Sequence, residues 1–510
     1  MTLIPAWNED VWDASHKKIS SIVSIIDENY FKEVDHEKLI YSSIKMMLKT
    51  LDPHSYFLDP KNFSTLMEDY KGKYYGLGIM IQKQEDRLVV ISPIEGGPAS
   101  RLGIHAGDII SHINGESTKP ISGIEAMQKL RGPKGKPVTI TIIREGIEKP
   151  LELTIVRKEI PLYSVPYAFM LGKDIGYIFI RNFAETTTRE LEEKMELLRK
   201  LGMKKLILDL RGNSGGTFAQ SVEISDLFLP RGNLIVSIKG RNKYYNEKFS
   251  ALKDKQYEKI PLIILINHGT ASAPEIVSGA IKDNDRGLIL GEDSWGKGVV
   301  QTVFPITQNT AVALTIARYF TPSGRCIQRD YTNVEDYVLN HEVSEEKREV
   351  RYTSKGRKVL GQGGISPDYE VKFAYKNLTA RLLLKGAYFS YAREFANKET
   401  ELSKKFIFPD EKPTHMAAAE KRKIINKNIL IDNRFIDDFK SYLSIKNIEY
   451  DPEKFEEAKE EIRREIEREI FSSIWGIEEG VKTFRKSDPV VLKAVELFPE
   501  AESLIGYESL

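Results

Sequence analysis

An α/β core flanked by helical regions is the fold class this sequence predicts, and three patterns predict it. Short β-branched runs alternate with helical stripes between Ile175 and Ala317, as in a layered α/β unit. Apolar residues recur at helical spacing before Tyr70, and the chain after Leu378 is helical and charge-rich. Between the first helical stretch and the core, Tyr74 to Arg157 is punctuated by glycine turns and reads as a separate, smaller module.

Composition bounds the function classes. Lysine and arginine number 75 against 74 acidic residues, which leaves no overall field to recruit nucleic acid or anionic membrane. The 41% hydrophobic fraction is ample for cores, and 510 residues suggest three or four domains. Cys326 is the single cysteine, so no internal disulfide forms, and no His-Glu-x-x-His occurs among the eight histidines, which argues against a metalloprotease. No run approaches the roughly 18–20 apolar residues of a membrane span. Met1 to Asp13 holds no apolar core of a signal peptide.

Taken in order, Ile19, Ile22, Val23, Ile25 and Ile26 form one helical stripe and Leu39, Ile40, Ile44, Met47 and Leu48 another. These helices are expected to pack on the rest of the chain or on a second subunit. Leu51-Asp-Pro-His-Ser-Tyr56 breaks the pattern, and His54, beside a proline at a helix end, reads as a turn residue rather than a catalytic one. Tyr75, Gly76, Leu77, Gly78 and Ile79 then resemble the carboxylate-binding loop of a PDZ domain and the strand after it. Gly96-Gly-Pro-Ala-Ser100, Gly107-Asp-Ile-Ile110, Ile113-Asn-Gly115, a helix from Gly123 to Arg131 and Val138-Thr-Ile-Thr-Ile-Ile143 follow in the order of bacterial PDZ modules. Successive backbone N–H groups in such a loop hold a C-terminal carboxylate while the peptide adds as a strand. Arg131 is a candidate for reporting peptide binding to an active site, with an exposed capping arginine as the plainer reading.

The core begins with a strand at Ile175–Ile180 and a helix at Thr187–Leu201. Lys205-Leu-Ile-Leu-Asp-Leu210, Arg211-Gly-Asn-Ser-Gly-Gly216 and a helix from Phe218 follow. No Gly-x-x-x-x-Gly-Lys-Ser/Thr is present, so a nucleotide phosphate loop is unsupported. Gly212-Asn-Ser-Gly-Gly216 matches the setting of the nucleophile in chymotrypsin-like proteases and would make Ser214 the nucleophile. Those enzymes need an upstream histidine and aspartate in paired β-barrels, whereas here strand alternates with helix.

The centre of the chain is Asn267 to Gln301. Pro261-Leu-Ile-Ile-Leu-Ile266 reads as a buried strand entering a turn, followed by a helix with Ser272 at its N-cap and Pro274 in its first turn. Ser272-Ala-Pro-Glu275 also fits a plain capping box. Gly296-Lys-Gly298 adds the chemistry: burial among Trp295, Val299 and Val300 disfavours the ammonium and lowers the lysine pKa, and a Ser–Lys dyad needs no histidine.

Thr270-Ala-Ser-Ala-Pro-Glu-Ile276 and Gly296-Lys-Gly-Val-Val-Gln301 resemble the active-site motifs of the carboxyl-terminal processing (tail-specific) proteases. The resemblance implies Ser272 as nucleophile, Lys297 as general base and Gln301 as the residue orienting it. Glu275 and Asp283 match polar positions that hold local structure, and Ser294 stands where the family commonly has Thr. Asp209-Leu-Arg-Gly-Asn-Ser-Gly-Gly216 matches the family's glycine loop, which implies an oxyanion hole from Gly215, Gly216 and Ala273. Tyr319-Phe-Thr-Pro-Ser-Gly-Arg-Cys-Ile-Gln328 and Gly361-Gln-Gly-Gly-Ile-Ser-Pro-Asp368 extend the match over roughly residues 15–375.

The implied fold is a crotonase-like α/β protease core with an inserted PDZ domain and helical N- and C-terminal regions. The expected division is 1–73, 74–158 (PDZ), 159–375 (protease) and 376–510. The implied activity is a serine endopeptidase that recognises protein C-termini through its PDZ domain. It needs no metal or organic cofactor, takes protein or peptide substrates with exposed C-termini, and works outside the cytoplasm, periplasmic or membrane-associated. A second copy of the chain or an activator protein is a further expected partner; a catalytically silent tail-binding scaffold is the rival class. Val334 to Lys358 reads as a charged insertion. Glu453 to Glu469, with opposite charges at i, i+4, reads as a solvated helix face.

Overall fold

The computed structural model describes residues 9–506 except 95, 145, 253–256, 308, 334, 336, 338, 340–347 and 406–428. The N-terminal region is α1 (Glu9–Asn29), α2 (His36–Lys49), a short strand β1 (Tyr56–Leu58) and α3 (Pro60–Lys71). Asp35 and Asp59 cap α2 and α3 by accepting from the N–H groups of Lys38 and Asn62.

The PDZ-like module follows: β2 (Lys73–Gly76), β3 (Ile79–Gln84), β4 (Arg87–Pro93), α4 (Pro98–Arg101), β5 (Ile109–Ile113), β6 (Glu116–Ser117), α5 (Gly123–Leu130), β7 (Pro137–Ile143), β8 (Leu151–Val156) and β9 (Lys158–Pro161). Its sheet runs β3-β4-β5-β7-β8 with β6 on β5, while β2 and β9 form a separate antiparallel ribbon where the module enters and leaves. Leu77, Leu88, Val90, Ile110, Ala126, Leu130, Val138 and Ile140 fill its own core. The module is thus an insertion with independent packing.

The central sheet takes β10 (Tyr167–Leu171), β11 (Ile175–Phe179), β12 (Lys205–Asp209), β15 (Leu262–Ile266), β16 (Leu288–Gly291) and β21 (Tyr369–Glu370), in that order, parallel except for β10. Between these lie α6 (Thr187–Lys200), α7 (Phe218–Asp226), β13 (Leu234–Gly240), β14 (Glu247–Ser250), α8 (Ala273–Asp283), β17 (Val299–Pro305), β18 (Ala311–Phe320), β19 (Val350–Tyr352) and β20 (Lys358–Leu360). A second sheet, β1-β18-β13-β14 with β17 on β18, ties the N-terminal region to the core through Tyr56 opposite Ala313.

Strand side chains alternate between faces, and both faces here are buried. Ile178, Leu206, Leu208, Ile264 and Ile266 pack on α6, α7 and α8 through residues such as Leu191, Ile224, Val277 and Ile281. Tyr177, Ile207, Ile263 and Leu265 point the other way. The helices covering that second face come from the C-terminal region, whose elements are α9 (Asn377–Leu384), α10 (Ala387–Ala396), α11 (Asn433–Ile445), α12 (Pro452–Glu457), α13 (Lys459–Trp475), α14 (Ile477–Lys486), α15 (Pro489–Glu496) and α16 (Phe498–Leu504). Val490, Val491, Ala494, Leu497, Phe498 and Ala501 of α15 and α16 close the sheet.

The α/β core, the inserted PDZ module and the helical ends agree with the predicted fold class. Two expectations change. The charged run Glu453–Glu469 is not all solvated face: Ile462, Glu465 and Ile466 are buried, and Glu465 accepts from Tyr375 Oη. Part of the expected insertion lies outside the described residues, but Tyr337 is buried, and β19–β20 form a hairpin.

Candidate active site

β15 is apolar along its whole length because both sheet faces are covered, and it ends where Asn267 turns the chain. Asn267 Oδ1 accepts from Gly212 and Gly269 N–H at 2.8 and 3.1 Å, and Thr270 Oγ1 donates to Leu210 O at 2.9 Å. Ala271 N–H donates to Asn213 O at 2.9 Å, so the turn after β15 is laced to the turn after β12. The chain then reaches Ser272 at φ +68° and ψ −113°, a conformation rare for a side-chain-bearing residue, at the N-cap of α8. A serine on a sharp strand-to-helix turn presents its hydroxyl beside unpartnered helix N–H groups.

Glu275, fully buried, fixes this turn. Its Oε2 accepts from Ser272 N–H (2.6 Å) and Lys297 N–H (3.0 Å), and its Oε1 accepts from Ser294 Oγ (2.6 Å) and Gly296 N–H (2.7 Å). Burial pushes the Glu275 carboxyl upward, against these four hydrogen bonds. The buried Tyr319 hydroxyl donates to Lys297 O at 2.9 Å and meets Ser272 O at 3.4 Å. Ser272 and Lys297 therefore share a side-chain partner at each end of their peptide units. Ser294 Oγ also accepts from Ile365 N–H at 2.7 Å, which brings the closing Gly-Gly-Ile segment into the same cluster. Asp283 lies at the far end of α8, paired with Arg325 at 2.8 Å, a structural setting.

The two glycines around Lys297 are close approaches. A Cβ on Gly296 would stand 2.6 Å from Arg329 Cγ and 2.9 Å from Gly364 N, and one on Gly298 would stand 2.7 Å from Gln328 N. Lys297 Nζ donates to Gln301 Oε1 at 2.6 Å. Burial lowers the lysine pKa from its ordinary value, opposed by the nearby carboxylates of Glu275 and Asp52. The register of β17 on β18 shifts between Val300 and Gln301, an irregularity of the kind that re-aims a side chain. Gln301 Nε2 in turn donates to the carbonyl of His54. Among the described residues Nζ makes its hydrogen bond to Gln301 and none to Ser272 Oγ.

Of the three residues read as an oxyanion hole, Gly215 differs from the others. Its N–H donates to Asn213 Oδ1 at 2.9 Å and is committed there. The N–H groups of Gly216 and Ala273 have no hydrogen-bond partner among the described residues. Gly215 still matters sterically, since a Cβ there would meet Ser272 Cβ at 3.0 Å and Ala271 O at 2.9 Å. Ser214 points to solvent and, among the described residues, has no hydrogen bond to a histidine or carboxylate.

Beside Lys297 and Gln301, His54 does more than turn the chain, and Tyr337, which the sequence does not single out, joins it. His54 supplies the carbonyl that holds Gln301, and its ring Nε2 lies 2.9 Å from Tyr337 Oη. Burial, and then the charge of Lys297, lower the His54 pKa to about 4, so the ring is neutral at physiological pH. Tyr337 Oη accepts from Trp295 Nε1 at 3.0 Å. His54 is a turn residue that also makes a contact across 283 residues of sequence, which no local pattern signals. The proline beside it and the Asp52 carboxylate accepting from His54 and Ser55 N–H are local and legible.

In the PDZ module Tyr75 and Gly76 lie in β2, Ile79 opens β3, and Gly78 takes φ +70°. Among the described residues the N–H groups of Leu77 and Gly78 have no partner, while their carbonyls accept from Ala99 and Ile94. That is the geometry of an anion nest beside an open strand edge. Arg131 is not an exposed cap: it pairs with Glu68 of α3 at 3.0 Å and lies 4.2 Å from the Tyr74 ring centroid, joining α5 to the N-terminal region. Among the described residues no cluster of three or more His, Cys, Asp or Glu is arranged to hold a metal, and no helix is long and apolar enough to cross a membrane.

Comparison with known proteins matches residues 174–337 to peptidase family S41, 66–143 to the PDZ domain and 6–62 to the N-terminal domain of the activating protease CtpB. A carboxy-terminal-processing protease of Bartonella bacilliformis is 39% identical over 315 residues, 61% of this chain and 72% of that protein. The carboxy-terminal processing protease CtpA of Bacillus subtilis is 34% identical over 318 residues, 62% of this chain and 67% of that protein. Among solved structures, a photosystem II D1 C-terminal processing protease is 28% identical, covering 67% of this chain and 84% of that one at a TM-score of 0.37. On the extent of the sequence match, the chain belongs to the carboxy-terminal processing proteases, PDZ-bearing serine-type peptidases of family S41.

Proposed function

We propose that this protease cleaves polypeptides whose free C-terminus is captured by the PDZ module, using Ser272 and Lys297 as a dyad through an acyl-enzyme. The observation that carries the reading is the Glu275 clamp, which holds the backbones of Ser272 and Lys297 together while Gln301 holds Nζ.

The substrate carboxylate meets the Leu77–Gly78 nest and the tail pairs with the edge of β3. Neutral Lys297 takes the proton of Ser272 as Oγ attacks the scissile carbonyl, and the N–H groups of Gly216 and Ala273 meet the oxyanion. Proton transfer requires Nζ within hydrogen-bond reach of Oγ, so in this proposal a rotation of one of the two side chains precedes attack. The protonated lysine then donates to the leaving amine, and water, activated by the same lysine, releases the acyl group. No residue in this sequence of steps calls for a metal or organic cofactor. Family membership supports a site of action outside the cytoplasm.

The test is cleavage of an unfolded protein with an apolar C-terminus by the intact chain and by Ser272→Ala, Ser214→Ala and Lys297→Ala, from weakly acidic to alkaline pH. Loss in the first and third variants with Ser214→Ala active supports the dyad. Loss in Ser214→Ala alone overturns it in favour of a chymotrypsin-like site. Silence in every form, with tail binding retained, moves the weight to a scaffold.

A further inference from the structure

Arg211 begins the turn Gly212–Gly216, yet its side chain leaves the nucleophile and passes to the opposite face of the central sheet. There its Nε donates to both oxygens of Asp209, at 2.9 and 3.1 Å, and its two terminal nitrogens reach the carboxylate of Asp488, at 2.8 and 3.3 Å. Asp488 sits at the N-cap of α15, where it accepts from Val490 N–H at 2.9 Å, and Arg485 donates to it at 2.8 Å. Tyr177 Oη donates to Asp209 at 2.7 Å. Both carboxylates are 0% exposed.

We infer that Asp488, from the C-terminal helical region, is a positioning residue for the Gly212–Gly216 turn. The inference rests on the proposed role of that turn in meeting the oxyanion.

Charge balance supplies the reason. Two arginines and two aspartates meet with both carboxylates buried and both guanidinium groups largely covered, and the set is neutral only with Asp488 present. Removing its charge leaves two guanidinium groups against one carboxylate, and an uncompensated buried charge is costly. Arg211, 11% exposed, relieves that cost by swinging outward, and the turn begins at its own backbone. Asp209 holds Arg211 from the end of β12, between β11 and β15, so the guanidinium is gripped from two sides, by the sheet through Asp209 and by the C-terminal helices through Asp488. Asp488 is anchored independently, through α15 and the apolar contacts of Val490, Val491 and Ala494 with the sheet. Helices α14–α16 thereby belong to the catalytic unit instead of forming a detachable tail.

Asp488→Asn tests this in the full chain, because asparagine keeps the volume and the helix cap while losing the charge. Three quantities are read: kcat and KM on a tail-bearing unfolded protein, affinity of a tail peptide for the PDZ module, and affinity of a peptidyl aldehyde. In the aldehyde adduct an Oγ–carbon bond forms, the carbonyl π pair becomes the oxyanion, and the hydroxyl proton passes to Lys297. We expect kcat and aldehyde affinity to fall together by about ten-fold or more, toward the range seen on losing an oxyanion donor. KM and tail-peptide affinity are expected within about two-fold of the intact chain. Asp488→Glu, which keeps the charge, is expected to recover part of the loss; if the asparagine variant does not fold, Asp488→Ser, which keeps a cap acceptor and loses the charge, is read against the same criteria. Unchanged kcat and aldehyde affinity in Asp488→Asn overturn the inference, as does an equal fall in tail affinity. An intact chain that binds the aldehyde no better than Ser272→Ala does overturns the oxyanion reading itself, and the inference with it.

Discussion

Ser272 and Lys297 are joined through one buried oxygen: Glu275 Oε2 accepts from both of their backbone N–H groups, at 2.6 and 3.0 Å. The other oxygen accepts from Ser294 and Gly296, so all four bonds need an acceptor. Glu275→Gln replaces one oxygen by an amide nitrogen that can only donate, leaving two donors facing a donor. The expected cost is on the order of 3 kcal/mol, from lost charge-assisted bonds and unpaired buried groups. Calorimetry should show a lowered Tm and proteolysis assays a loss of cleavage, with tail binding by the PDZ module retained. An unchanged Tm would remove Glu275 from its structural role.

Lys297→Met should abolish cleavage and yet stabilise the protein at neutral pH. Burial lowers the folded-state lysine pKa below its ordinary 10.5. As pH falls from above 10.5, the unfolded chain takes up the proton first, so stability drops until pH passes below the folded value and is constant thereafter. Methionine fills a similar volume without that penalty, for an expected gain of about 0.5–2 kcal/mol, typical of removing a functional group from a costly environment. Denaturation midpoints measured across pH check the sign: the advantage should vanish above pH 10.5. For the intact chain, kcat/KM should rise with pH through the depressed lysine pKa. His54, neutral down to about pH 4, contributes no step above that value.

The local parts of this site are readable in sequence because their physics is local. The buried run Leu262–Ile266, Ser272 at an N-cap, Pro274 in the first turn and glycines flanking Lys297 each answer to nearest-neighbour rules. What the sequence leaves open depends on distant segments. The His54 carbonyl on Gln301, the Tyr337 hydroxyl on His54 and Asp488 on Arg211 each join residues more than 240 positions apart. The commitment of Gly215 N–H to Asn213 is only two residues long, but either amide orientation of that side chain is compatible with the motif. The C-terminal region illustrates the same limit for the fold: its charge pattern signals helices, while the apolar face of β11, β12 and β15 that requires a cover lies elsewhere in the chain.

Gln301→Glu isolates the electrostatic part of lysine positioning. It leaves an oxygen within reach of Nζ, now charged, and an adjacent carboxylate favours the ammonium. The lysine pKa should therefore rise and the acid limb of kcat/KM should move to higher pH. The group facing the His54 carbonyl also changes from donor to acceptor, so kcat at the alkaline plateau should fall as well. Gln301→Ala should lower kcat by about 10²-fold or more, the scale of a general base left unoriented, without moving the limb upward. A pH–rate profile of Gln301→Glu that overlays the intact chain would show that Gln301 does not orient the base.

Gly78→Val tests whether the PDZ nest is where substrates enter. Gly78 sits at φ +70°, and a Cβ there would stand 3.1 Å from Ile160 Cδ1 and 3.6 Å from Ile94 Cβ. A β-branched residue in that conformation costs roughly 1–2 kcal/mol and turns the loop away from the carboxylate it is proposed to bind. The module has its own apolar core, built from Leu88, Val90, Ile110 and Ile140, so the loss should stay local. Tail-peptide affinity, measured by fluorescence anisotropy, should drop by about ten-fold, corresponding to the lower part of that strain energy. KM for tail-bearing proteins should rise by a similar factor, while kcat for short internal peptides that do not use the module should be unchanged. Equal losses on both substrate types would mean that the module shapes the active site rather than capturing the tail; no loss on either would place tail recognition away from Leu77 and Gly78.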